Sequence, residues 1–167
     1  MKIAILGAAG RTGRLAVDYA LAQGHEIVAV ARQPATLGDH AGLTVVEGDV
    51  TDPSTVTAAV AGADAVLSAL GQTGTGRMVC STAIRHVLDC GIERIVTVSG
   101  AGIDVAGDKK ELMDKLLGFL VKTFSRSAFE DKVAEYALIE ASAAKWTLVR
   151  PPRLLDGASA SGIRVSL

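Results

Sequence analysis

Gly7, Gly10 and Gly13 stand at steps of three in the stretch GAAGRTG, directly behind the apolar run KIAIL. Glycine costs backbone entropy wherever it is used, so three at one junction mark a place that something approaches too closely for side chains. A strand, a tight glycine turn and a helix together hold a dinucleotide pyrophosphate. Gly7 allows the turn, Gly10 admits the phosphates, and Gly13 lets helix and strand pack closely. The helix start adds N–H groups near Arg11 and Thr12 and the positive end of its dipole. Arg32, at the end of VAVAR, follows about 20 residues later, where an acidic residue binds the ribose 2′-hydroxyl in NAD sites. A guanidinium there either binds a 2′-phosphate through parallel charge-assisted hydrogen bonds or stands as a solvated charge at a strand end. Arg11 and Arg14 add positive potential or face solvent. The pattern favours NADP(H) over NAD(H).

The elements that must position these groups alternate along the chain. KIAILG reads as a strand, and RTGRLAVDYALAQG as a helix with Leu15, Tyr19 and Ala22 at helical spacing, closed by Gly24. EIVAVAR, LTVVEGDV, ADAVLSALG, RIVTVSG and WTLVRPP read as further strands. STVTAAVAG, behind Asp52-Pro53, and RMVCSTAIRHVLDCG are helices between them, and residues 104–144 carry two more helical segments. Strands that are apolar on both faces suit a parallel sheet covered by helices. The expected fold is α/β: a Rossmann-type doubly wound parallel sheet, one domain over residues 1–167. Asp49, Leu70 with Gly71, Ser99 with Gly100, and Pro151 each follow a strand. They therefore share the carboxyl edge, where open α/β sheets bind ligands. The chain stops at GASASGIRVSL, where such a domain normally continues, so C-terminal elements are expected to be missing.

Composition narrows the function. The chain is long enough for a real core, and its formal charge of −1 shows no basic excess for nucleic acid. No apolar run reaches the roughly 18 residues of a membrane span. The first strand starts at Lys2, which leaves no room for a signal peptide. A soluble cytoplasmic protein is expected, monomeric or homodimeric, acting on a small molecule. Cys80 and Cys90, on one helix, read as two partly buried thiols. His86 reads as a helix-surface residue, and His25 and His40 lack metal-ligand spacing.

The spacing G-x-x-G-x-x-G, with Ala9 where G-x-G-x-x-G has its middle glycine, resembles the short-chain dehydrogenase/reductase superfamily, its extended and atypical members in particular. GDVTDPSTVTAAVAGADAVLSALG is similar to that family's third strand, helix and fourth strand. GIERIVTVSGAG is similar to its fifth strand, and WTLVRPPRLLDG to its sixth strand and following loop. The nearest resemblance is to the NAD(P)H-binding atypical group that contains biliverdin reductase B (a flavin reductase) and the NmrA-like proteins. It implies NADP where arginine stands at position 32, adenine near Asp49, the adenosine ribose beside Leu70 and Gly71, and nicotinamide beside Ser99 and Gly100.

Typical members of the superfamily donate a proton from the tyrosine of Y-x-x-x-K. Here Lys132 stands at the lysine's place and Ala128 at the tyrosine's. Tyr19 is followed four positions on by Gln23, and Tyr136 by Glu140, so neither supplies the motif. Hydride transfer to a flavin- or quinone-like acceptor can take its proton from solvent, with the protein fixing geometry. Ser99 and Lys132 are the candidate catalytic residues, and Lys132 either binds the nicotinamide ribose or a substrate anion or is an exposed helix lysine. Three readings follow: an NADPH-dependent reductase of a flat acceptor, a non-catalytic NADP(H) sensor of NmrA-like type, and a nucleotide-sugar epimerase or dehydratase. KKELMDKLLGFLVKTFSRS, over residues 109–127, either roofs the cleft or forms a dimer or membrane surface. Pro151 and Pro152 stiffen the loop leading to Arg153.

Overall fold

The structure, a computed structural model, describes residues 1–71, 78–100, 103 and 126–151. Its elements in chain order are β1 (Lys2–Leu6), α1 (Arg11–Ala22), β2 (Glu26–Ala31), a 3-10 turn (Pro34–Thr36), β3 (Leu43–Glu47), α2 (Pro53–Val60), β4 (Ala65–Ser68), α3 (Val79–Asp89), β5 (Arg94–Val98), α4 (Arg126–Glu140) and β6 (Lys145–Val149). The six strands form one sheet in the order β3-β2-β1-β4-β5-β6, with every pair parallel. This is the expected doubly wound α/β arrangement. The order reverses between β1 and β4, and it is at the carboxyl ends beside such a reversal that open α/β sheets bind ligands.

Each face of the sheet has its own core. Alternate residues of β1 point to opposite sides: Ile5 joins Val17 and Ala20 of α1 with Ile27 and Ala29 of β2. Ala4 and Leu6 join Val56 of α2, Ile84 and Val87 of α3, Ile95 of β5 and Ile139 of α4. Ile5, Leu6, Ile27, Ile84, Ile95 and Ile139 are fully buried, each worth about 1.5–3 kcal/mol relative to exposure. The edge strands β3 and β6 are only half covered.

Three sequence expectations need correction. The buried stripe of α1 is Gly13, Val17 and Ala20; Leu15 and Tyr19 are 69% and 70% exposed, and Ala22 is exposed too. The close approach of Gly13 to the β1 turn fixes the helix phase. At about 100° per residue, Leu15 then lies about 200° round from Gly13. The two thiols are not alike: Cys80 is fully buried, whereas Cys90, at the helix end, is exposed. His86 is half-buried, with Nε2 3.3 Å from the Thr51 carbonyl oxygen, rather than a free surface residue. The segment 104–125, which includes most of the expected apolar roof, and Pro152 and Arg153 lie outside the described residues.

Candidate functional site at the carboxyl edge of the sheet

The three glycines prove to have different physical causes. Gly7 has φ +81°, and a Cβ on it would lie 2.9 Å from the Ala69 carbonyl carbon and oxygen, where the end of β1 crosses the end of β4. A Cβ on Gly13 would collide with the Gly7 carbonyl oxygen and sit 2.8 Å from Ala8 Cα. Gly10 differs: its φ of −74° is open to any residue, and a Cβ there would touch only the Gly7 carbonyl oxygen at 3.2 Å. No other described residue comes within 4 Å of that Cβ position. The turn is closed by the Gly10 N–H donating to the Gly7 carbonyl at 3.0 Å and strapped by Arg14 Nε donating to the Ala9 carbonyl at 3.1 Å.

The helix ends tell the same story. Asp52 caps α2 by accepting from the Ser54 N–H at 2.9 Å. Asp131, reaching across from α4, accepts from the Cys80 and Ser81 N–H groups at the start of α3 at 2.8 and 2.9 Å. Among the described residues α1 has neither: its N-cap is Gly10, which has no side chain, and its first turn holds no acid. An anion placed beside Gly10 would complete α1 as the carboxylates complete the other two. Arg11 is exposed and Thr12 half-buried at this end.

The remaining sequence candidates line the same edge. Arg32, one residue past β2, is exposed. Asp49, past β3, is half-buried, and its Oδ1 accepts from the Thr51 N–H and hydroxyl at 2.9 and 2.8 Å. Leu70 packs on the core beyond β4, while a Cβ on Gly71 would meet open space. Pro151 is half-buried past β6. Next to it, Arg150 donates to the Ile103 carbonyl at 3.0 Å.

Beyond β5 the polar groups are denser. Ser99 donates its N–H to the Val149 carbonyl at 2.8 Å, yet its Oγ is buried and has no hydrogen-bond partner among the described residues. A buried hydroxyl without a partner is costly, so it marks a place for a ligand or water. Lys132 Nζ donates to the Val98 carbonyl at 2.9 Å and to Glu135 Oε2 at 2.7 Å. Glu135 Oε1 also accepts from the Thr97 hydroxyl at 2.8 Å and the Ser68 hydroxyl at 3.4 Å. Ala128, half-buried, stands one helical turn before Lys132.

A family model described as NAD(P)H-binding matches residues 7–166. The chain belongs to the NAD(P)H-binding family. Among solved structures, ChuY, an anaerobilin reductase from Escherichia coli O157:H7, is 25% identical with a TM-score of 0.75, over 95% of this chain and 76% of that one. A short-chain dehydrogenase/reductase from Veillonella parvula, in complex with NADP, is 23% identical with a TM-score of 0.70 over 89% and 68% of the two chains, a likeness of fold. An uncharacterised protein of Mycobacterium tuberculosis is 31% identical over 136 residues, 62% of this chain and 16% of that protein. The chain thus spans about a sixth of the length of that relative. The glycine cradle and the unpartnered Ser99 hydroxyl fit the family's dinucleotide, one at each half of the crevice.

The structure also shows polar residues that the sequence reading does not single out. Asp131, Glu135, Thr97 and Ser68 are buried. The usable signal was the register. Thr97 lies opposite Ser68 in the β4–β5 pair, and two hydroxyls side by side in otherwise apolar strands call for a polar partner from the helix above.

Proposed function

We propose that this chain forms the nucleotide-binding unit of an NADP(H)-dependent reductase of small, flat, flavin- or quinone-like acceptors. One observation carries the reading: Gly10, at the start of α1, has no side chain to cap the helix, and among the described residues only the Gly7 carbonyl oxygen comes within 4 Å of its Cβ position. Gly7, Gly10 and Gly13, with the N–H groups near Arg11 and Thr12, would hold the pyrophosphate. Arg32, exposed at the end of β2, would clasp a 2′-phosphate and set the preference for NADP(H). Asp49, Leu70 and Gly71 would flank the adenosine, and Pro151 would border the far side of the crevice.

The bound cofactor supplies a hydride; the chain's own residues bind, orient and exclude water. Ser99 Oγ would bind at the nicotinamide end, where it now has no partner. Lys132 has one ammonium proton beyond the two given to Val98 and Glu135, enough to bind a ribose hydroxyl or a substrate anion. With Ala128 in place of a phenol, acceptors that take their proton from water fit the site, whereas carbonyls needing a positioned acid do not. The likeness to ChuY, a reductase, supports this class.

The test is NADPH oxidation by the full-length protein across flavins, quinones and tetrapyrrole-like acceptors. Tight NADPH binding with no turnover on any of them would overturn the reductase reading. It would favour a sensor, in which the dinucleotide shifts a conformational equilibrium by binding one state better. Ala128 is the observation that keeps this second reading in play.

A further inference from the structure

Glu135 is 1% exposed, set between α4 and the β4–β5 pair. An ionised carboxylate in such a place costs several kcal/mol unless it is paired and hydrogen-bonded. Its Oε1 is satisfied by the Thr97 and Ser68 hydroxyls, and its Oε2 by the Lys132 ammonium at 2.7 Å. A helix lying on a sheet does not need this arrangement for stability, since apolar residues of similar volume commonly serve as well or better. The arrangement does have a geometric consequence. Thr97 and Ser68 fix one carboxylate oxygen on the sheet, the other oxygen fixes Nζ of Lys132, and the Val98 carbonyl fixes Nζ from a second side. The lysine side chain is 14% exposed, so its ammonium stands at the strand end immediately before Ser99, with two protons committed.

From this geometry we infer that Glu135 is the positioning residue for Lys132: it holds the ammonium at the nicotinamide end of the crevice and so sets affinity for the whole dinucleotide without touching it. The inference rests on the nucleotide-binding reading above. It makes Glu135 act only through Lys132 and only on the half of the ligand near β5. Arg32 and the glycine cradle, at the β1–β2 side, hold the other half independently.

The experiment measures binding by the full chain of NADPH and of adenosine 2′,5′-bisphosphate, which lacks the nicotinamide half. The proteins are wild type, Glu135→Gln, Lys132→Met and the double variant, with thermal unfolding followed on each. Glu135→Gln and Lys132→Met each weaken NADPH about tenfold, and the double variant is no weaker than Lys132→Met alone, because coupled residues are not additive. The bisphosphate binds all four proteins alike. Glu135→Asp keeps the charge but withdraws the carboxylate by one methylene. It gives the same selective loss and serves where Gln lowers the melting temperature too far for titration. Unchanged NADPH affinity in the folded Glu135 variants, full additivity in the double variant, or equal losses for both ligands would each overturn the inference alone. Failure of the wild type to bind either ligand would overturn the nucleotide-binding reading itself and the inference with it.

Discussion

Asp131 offers the sharpest test of how the site is held. It is fully buried, and its carboxylate accepts from the Cys80 N–H at 2.8 Å, the Ser81 N–H at 2.9 Å and the Ser81 hydroxyl at 2.7 Å. It thereby caps α3 from α4, the helix that also carries Lys132 and Glu135. Asp131→Ala strands these donors in a buried place. Unsatisfied groups cost about 1–3 kcal/mol each. Asp131→Asn keeps one oxygen for Ser81 but turns an amide NH2 toward Cys80 and removes the charge at the helix start. It should cost about 2–3 kcal/mol, a fall in Tm of about 4–12 °C for a chain of this size. Burial alone would push the Asp131 carboxyl up, but the hydrogen bonds from Ser81 and Cys80 outweigh it and hold the group below its ordinary 3.8. A depressed folded value means that the stabilisation is fully present above the ordinary carboxylate range and is lost as pH falls through the folded value. Urea unfolding should therefore show a wide gap between wild type and Asp131→Asn at pH 7 that narrows as pH falls below the ordinary carboxylate value. A gap below about 0.5 kcal/mol at pH 7, the level of an ordinary surface change, would refute the reasoning. So would a gap that does not depend on pH.

Arg32→Ala should weaken NADPH binding tenfold to a hundredfold, the loss of about 1.5–3 kcal/mol from a hydrogen-bonded charge, while NADH binding changes little. Equal losses by calorimetry for both cofactors would put Arg32 in a structural role. Gly10→Ala, at a φ that alanine accepts but with its Cβ 3.2 Å from the Gly7 carbonyl oxygen, should destabilise the chain far less than Gly13→Ala and cost at least about tenfold in NADPH affinity. Gly13→Ala should unfold or severely destabilise the chain, because its Cβ would overlap the Gly7 carbonyl. Thiol titration at neutral pH should modify Cys90 and spare Cys80, whose thiol burial pushes up to about 12; labelling of Cys80 at the same rate would contradict its burial.

The parts of the site legible in the sequence are those set by local geometry. The glycine turn could be read because three glycines stand together at one strand–helix junction, and Arg32 because it follows them at the end of strand two. Helix phase was not legible in α1. Leu15 and Tyr19 have the right spacing for a buried stripe, but only the three-dimensional contact of Gly13 with the Gly7 carbonyl decides which side turns inward. α4 hid its role for a related reason. Asp131 and Glu135 look like ordinary helix-surface acids, and their meaning depends on partners about 40 to 70 residues away in sequence.

Seen from the sheet, α4 nonetheless has an order. Ile139 lies in the apolar core, and Glu135 meets the hydroxyls of Thr97 and Ser68. One turn earlier Lys132 reaches the Val98 carbonyl at the end of β5. Polarity thus rises along one helix stripe, at steps of three to four residues, towards the carboxyl edge of the sheet. A stripe selected for packing alone would remain apolar to its end. The sequence of change from isoleucine to glutamate to lysine, ending beside an unpartnered serine hydroxyl, is what a helix needs if its far end must meet a polar ligand while its near end seals the core.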